Sequence, residues 1–204
     1  MISRRDWLVL SCALLAGCRR KRFRKLAAGD AILALGDSLT AGFGAPKGAD
    51  YPAQLAQMLG RKVINGGVLG DTSAQALARL PDLLVQKPKL VVVSIGGNDF
   101  LQRQPESGTR ENIRKMVADI RATGVPAVLV AIPHFTTGVL LGMVSEHPLY
   151  AELANELDVP LLQGAWAEIL GDKDLKSDAV HANAAGYRLF AEKLAGFLKK
   201  LGLV

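Results

Sequence analysis

Five short, largely apolar runs, nearly all cut off by glycine or proline, constrain the fold of this chain more than any other feature. Residues 31–35 (AILAL) stop at Gly36, 62–65 (KVIN) at Gly66-Gly67, 90–95 (LVVVSI) at Gly96-Gly97 and 127–132 (AVLVAI) at Pro133, and a shorter run covers 159–162. The runs are rich in β-branched residues and continuous rather than alternating. That is the pattern of parallel strands covered on both faces. Between and after them lie stretches with apolar residues at helical spacing, 52–59, 73–84, 110–123, 148–157 and 183–200. In the last, Leu189, Phe190, Leu194, Phe197 and Leu198 form one stripe. Strand and helix repeated in this order predict an α/β fold of three layers, α/β/α, around a five-stranded parallel sheet. The 204 residues suffice for one such domain with a full core. Residues 42–51, 100–109, 133–147 and 171–182 carry no clear periodicity and read as irregular.

The net charge of +6 suggests a polyanionic partner until it is located along the chain. Arg4, Arg5, Arg19, Arg20, Lys21, Arg22, Arg24 and Lys25 hold eight of the 25 basic residues, and Asp6 is the only acidic residue among the first 25. From Leu26 onward 17 basic residues face 18 acidic ones, a net −1. The basic balance is therefore a property of the N-terminal segment. With aromatics at only 5%, the composition gives no reason to expect a nucleic-acid partner.

The first 25 residues read as an address. Arg4 and Arg5 precede an uncharged, mostly apolar run of 11 residues, 7–17, too short for the roughly 20 residues of a membrane span. A basic start and a short apolar run form an export signal. The run ends Leu15-Ala16-Gly17-Cys18, which resembles the bacterial lipobox, where cleavage precedes a cysteine that is then lipidated. Ser3-Arg4-Arg5-Asp6-Trp7-Leu8 resembles a twin-arginine signal. The expectation is a lipoprotein-type signal and basic juxtamembrane segment over 1–25, lipidated at Cys18, with a domain over 26–204 exported and held at a membrane by its lipid. An uncleaved signal anchor with Arg19 to Lys25 on the cytoplasmic side is the competing reading. Cys12 and Cys18 both lie in this segment, so the domain has no disulfide.

Ligands of a parallel α/β sheet bind beyond the carboxyl ends of its strands. Strand one is followed by Gly36-Asp37-Ser38-Leu39-Thr40, strand two by residues 66–72 (GGVLGDT) and strand three by Gly96-Gly97-Asn98-Asp99. Asp178-Ala179-Val180-His181 stands near the C-terminus. These four segments, in this order, resemble the four sequence blocks of the SGNH/GDSL hydrolases, whose fold is flavodoxin-like. Gly70-Asp71-Thr72-Ser73, Ala78-Arg79-Leu80-Pro81 and the GGND block are most similar to the bacterial thioesterase I/lysophospholipase/arylesterase group.

The resemblance implies a serine ester hydrolase with Ser38, Asp178 and His181 as catalytic triad. It implies an oxyanion hole from the Ser38 and Gly70 backbone N–H groups and the Asn98 side-chain amide. Each role is chemically apt. A serine hydroxyl needs an adjacent base, a histidine base needs an acid to fix its tautomer, and the developing oxyanion needs donors set in advance. The spacing of Asp178 and His181 lets them meet if the segment turns before the last helix. The G-x-S-x-G elbow of the α/β-hydrolases is absent. The implied substrate is a small-molecule or lipid acyl ester, of arylester, lysophospholipid or thioester type. No cofactor and no metal are implied.

Other readings of the same residues stand beside this one. Ser38 suits a helix N-cap, Asn98-Asp99 an Asx turn, and Gly70 a plain turn. His134 and His147 read as loop-packing residues. A carbohydrate or cell-envelope O-deacetylase, or a non-catalytic acyl- or glycan-binding lipoprotein, would use the same fold, although the full Ser, Gly, Asn, Asp and His set argues against the latter. A flavin binder would need a better phosphate loop than GDSLTAG. Residues 100–105 and 135–144 are candidates for an acyl groove or a lid.

Overall fold

The structure is a computed structural model and describes residues 23–134 and 144–204. The expected signal, Cys18 included, and most of the apolar 135–144 loop lie outside the described residues.

The expected sheet is present. Strands β1 (Ile32–Gly36), β2 (Val63–Gly67), β3 (Leu90–Ser94), β4 (Ala127–Val130) and β5 (Leu161–Leu162) pair in the order β2-β1-β3-β4-β5. Every pairing is parallel, with Gly36 opposite both Gly67 and Ser94. β1, β3 and β4 are buried at every position, as their unbroken apolar runs require of strands covered on both sides. Helices α1 (Ser38–Ala41), α2 (Tyr51–Leu59), α3 (Ser73–Leu84), α4 (Gly97–Leu101), α5 (Glu106–Ala122), α6 (Leu149–Leu157), α7 (Ala165–Gly171) and α8 (Ala184–Lys200) connect and follow them.

One helical layer joins α2, α7 and α8 through an aromatic cluster. Trp166 stacks on Phe190 with centroids 3.8 Å apart, and Tyr51 and Tyr187 meet Trp166 edge-on. All four rings are buried. The other layer packs α3 on α5 and α5 on α6. Among the described residues no helix is long and apolar enough to cross a membrane.

The structure differs from the sequence reading in its short helices. α1, α4 and α7 are four to seven residues long, too short to show a period. α5 begins at Glu106 rather than near 110, directly after Pro105, with an acidic residue in its first turn. The stretch 100–109 is therefore largely helical.

The chain leaves β1 toward β2 on one side and returns past β1 to β3 on the other. The carboxyl ends of β1 and β3 thus flank the switch point at which doubly wound sheets form their binding crevice.

Candidate active site

Ser38 follows β1 at that switch point. A side chain on Gly36 would collide with Thr40 Oγ1 and the Ser94 carbonyl, so only glycine permits the tight turn from β1 into α1. The helix cap is Asp37, not Ser38: its Oδ1 accepts the Leu39 N–H at 3.0 Å. Ser38 is the first residue of the helix, its hydroxyl is not spent on capping, and its N–H is one that a helix leaves without an internal partner.

Asp178 and His181 come from an exposed turn 140 residues later in the chain. Asp178 Oδ1 accepts the backbone N–H groups of Val180 (2.9 Å) and His181 (2.8 Å). The same carboxylate meets His181 Nδ1, with Oδ2 at 2.8 Å. A carboxylate only accepts, so Nδ1 carries a proton, and in the neutral ring Nε2 is the nitrogen with the lone pair. His181 Nε2 lies 3.0 Å from Ser38 Oγ. Phe43 covers the imidazole, centroids 4.6 Å apart, and Tyr187 donates to the Phe43 carbonyl at 2.6 Å. Partial burial pushes the Asp178 carboxyl up, but the Val180 N–H, the His181 ring and the His181 N–H together hold it below its ordinary value. It remains a carboxylate throughout the neutral range.

Asn98 stands in the first turn of α4, beyond β3, and donates from Nδ2 to the Asp71 carbonyl at 2.9 Å. One N–H of the amide thus fixes its orientation, and the second is left for a ligand. Ser38, Asn98 and His181 line one small cavity of about 60 Å³, together with Asp37, Leu101 and Val180. Gly70 is not part of this lining. It sits in the adjoining loop with φ +79°, and a Cβ there would meet nothing within 4 Å. Glycine is needed at 70 for backbone conformation. Of the expected residues, the structure brings Ser38, His181, Asp178 and Asn98 together and keeps Gly70 at the margin.

The decisive comparison comes from the sequence as a whole. Residues 34–189 match the GDSL-like Lipase/Acylhydrolase family. The chain belongs to this family. Over 181 residues it is 35% identical to the thioesterase 1/protease 1/lysophospholipase L1 of Escherichia coli (strain K12), covering 87% of each chain. A crystal structure of TesA superposes with a TM-score of 0.74 at 27% identity, over 84% of this chain and 99% of that one. The psychrotrophic esterase EstA from Pseudoalteromonas sp., in a structure inhibited by monoethylphosphonate, gives 0.73 at 25% identity over 84% and 97%. The chain is a GDSL-type hydrolase.

Around this GDSL-family site stand residues whose work sequence reading alone does not show. Arg79, on α3, donates to Asp71 Oδ2 (2.6 Å), to the Gly66 carbonyl (2.6 Å) and to the Gly36 carbonyl (2.7 Å). One guanidinium therefore ties the ends of β1 and β2 to the loop that carries Gly70. Its planar fork suits three acceptors in a way that lysine would not. Asp99, fully buried, accepts the Ser73 N–H (2.8 Å) and the hydroxyls of Ser73 and Thr109. Ser73 in turn accepts from Asn112. Asp99 is thus bound into the packing of α3, α4 and α5 rather than closing an Asx turn.

Burial pushes the Asp37 carboxyl up to about 7, against the N–H groups of Leu39 and Asp37 itself, with Asp71 and Asp99 adding to the rise. His147 is a packing residue: it stacks on Phe100 at 4.1 Å, and burial lowers its pKa.

Proposed function

We propose that this hydrolase cleaves acyl esters through a Ser38-His181-Asp178 triad. The observation that carries the proposal is the single imidazole that faces Ser38 Oγ at 3.0 Å on one side and a carboxylate at 2.8 Å on the other. Ser38 Oγ bonds to the ester carbonyl carbon while His181 Nε2 takes its proton. The tetrahedral oxyanion accepts from the Ser38 N–H, the Gly70 N–H and the free proton of the Asn98 amide. His181 then protonates the leaving alcohol or thiol, and the acyl group remains on Ser38. A water molecule, deprotonated by His181, adds to the acyl-serine carbonyl. Collapse of that second intermediate releases the carboxylic acid and returns the proton to Ser38. Asp178 holds the imidazole in the required tautomer and stabilises its protonated form.

The rim favours an acyl group over a sugar. Leu101 lines the cavity, Phe43 lies on His181, and Val68 and Leu69 occupy the loop beside Gly70. All four are exposed apolar residues, and burying them against an alkyl or aryl group is favourable by roughly 25 cal/mol per Å². The relative named thioesterase and lysophospholipase supports the same substrate class. The lipobox-like sequence ending at Cys18 supports export as a lipid-anchored protein, which places the substrate outside the cytoplasm and away from acyl-CoA. Mass spectrometry of membrane-extracted protein tests the anchor: an N-terminus at acylated Cys18 is expected, and an intact Met1 with unmodified Cys18 contradicts it.

The function is tested with p-nitrophenyl esters of increasing chain length. The wild-type chain hydrolyses them. Asn98→Ala lowers kcat by roughly 10²–10³ with little change in KM, since its amide acts on the transition state. Absence of turnover on every ester, or an Asn98→Ala effect confined to KM, counts against the proposal.

A further inference from the structure

We propose that the end of the domain opposite the candidate active site is a docking face for an anionic lipid surface, met with the catalytic mouth turned toward the aqueous phase. In a parallel sheet all strand starts and most helix ends fall on one side of the molecule. On this side Lys62 precedes β2, Lys87 and Lys89 precede β3, Arg121 closes α5, and Lys199 and Lys200 close α8. All six are exposed. Against them stand Asp30, before β1, Asp158, at the end of α6, and Asp82 and Glu156 in the last turns of α3 and α6. The loops at the opposite end lean the other way, with Asp50, Asp71, Glu146, Asp172, Asp174 and Asp178 against Lys47, Arg103, Lys173 and Lys176.

The near-neutral domain therefore carries its excess of cations at this end. Cations at helix ends complement the helix dipole, which accounts for Arg121, Lys199 and Lys200. It does not account for Lys62, Lys87 and Lys89, which lead into strands and have no ion pair among the described residues.

The course of the chain selects the partner. Residues 23–27 run along a cleft of about 650 Å³ on this same side, walled in part by Lys89 and Arg121. Leu26 donates to the Leu203 carbonyl at 2.8 Å, and Arg61 donates to the carbonyls of Leu26 and Ala27. Arg24 and Lys25 therefore lie on the basic face, and in sequence Cys18 and the basic residues 19–22 stand directly before this segment. Cations that directly follow the cysteine of the proposed acyl anchor fit headgroups and hydrocarbon together. The choice of lipid over another polyanion rests on the proposed anchor. α8 starts beside His181 and ends at Lys200 after 17 residues, about 25 Å away. That is several Debye lengths at physiological salt. A domain seated on this face takes its ester from solution, not from the bilayer beneath it.

The full-length chain is sedimented with phosphatidylcholine vesicles with and without phosphatidylglycerol, at low and high salt. Phosphatidylglycerol should raise binding, and salt should remove the gain. Neutralising Lys62, Lys89 and Lys199 together (Lys62→Gln, Lys89→Gln, Lys199→Gln) should weaken the anionic gain about fivefold per charge, roughly a hundredfold in all. Turnover of a soluble p-nitrophenyl ester should be unchanged, in the variant and in vesicle-bound protein alike, which also shows that the variant is folded. The proposal is overturned if the triple variant keeps the anionic gain, if vesicle-bound protein loses soluble-ester turnover, or if duplex DNA competes at comparable affinity. Binding to pure phosphatidylcholine reports on the anchor alone, so its loss would count against that reading and leave the face standing.

Discussion

The two halves of the candidate site are built in opposite ways. The half that holds Ser38, Gly70 and Asn98 grows from the ends of buried strands. It is braced from behind by Arg79, which reaches three chain segments, and by the fully buried Asp99. The half that holds Asp178 and His181 is a surface turn in which the Asp178 side chain is 46% exposed. Its ties are mostly local: Ser177 donates to the His181 carbonyl, and Asn183 caps α8 while donating to the Asp174 carbonyl. Oxyanion donors must be fixed before the reaction, because reorienting them during it would cost what they contribute. A general base has only to meet one hydroxyl, and a turn organised by its own carboxylate does that. In the braced half, residues that touch no substrate should therefore matter for stability. In the turn, loss of a side chain should affect activity and leave the fold intact.

The largest expected effect falls on the turn. Asp178→Asn should lower kcat by about 10⁴, because the wrong imidazole tautomer then faces Ser38. The melting temperature should hardly move. A large drop in melting temperature would show that the turn is structurally coupled to the core and would erase the contrast.

Next comes Asp37, on the braced side. Its folded pKa of about 7 lies above the ordinary 3.8, so the folded state holds this proton more tightly than the unfolded chain. Its contribution to stability is greatest below about pH 4, falls as the pH rises toward 7, and is level beyond that. The span is on the order of 4 kcal/mol. Asp37→Asn keeps an oxygen for the Leu39 N–H and should flatten this part of the stability–pH curve. Denaturant titrations of both proteins across that range check it, and parallel curves would mean Asp37 is not desolvated.

Arg79→Ala should destabilise by about 3 kcal/mol, since it strands the largely buried Asp71 carboxylate and two strand-end carbonyls. Turnover should fall with it as the Gly70 loop loosens. Arg79→Lys, lacking the planar fork, should recover little. A stable, fully active Arg79→Ala protein would break the account of this half. Ser177→Ala is the smallest change, under about 1 kcal/mol, because its hydroxyl makes only long bonds, 3.3 Å each, to the His181 and Ala182 carbonyls beside the backbone bond from Ser177 to His181. Thermal unfolding with kcat in parallel reads it.

The same contrast explains what the sequence makes legible. Strands β1, β3 and β4 are visible because burial on both faces leaves unbroken apolar runs, and chemistry gathers at their ends because parallel topology puts it there. Asp178 and His181 are legible through the resemblance of their segment to a family block, and their spacing of three residues allows the contact that the structure shows. The bracing is not visible. Arg79 meets carbonyls 13 and 43 residues away, and no spacing rule marks a side chain whose partners are backbone atoms. Asp37 and Ser38 are equally good caps by residue type, and only the turn geometry at Gly36 decides between them. The short α4 and α7 escape notice because tertiary packing, with Trp166 and Ile169 buried in α7, holds them rather than their own periodicity.

The central claim is that Ser38 is a nucleophile activated by His181. A fluorophosphonate probe followed by peptide mass mapping tests it most directly. The account predicts a single adduct on Ser38, absent in Ser38→Ala and formed far more slowly in His181→Ala. Undiminished labelling of Ser38→Ala, or an adduct on Ser73 or Ser177 in the wild-type chain, would contradict it.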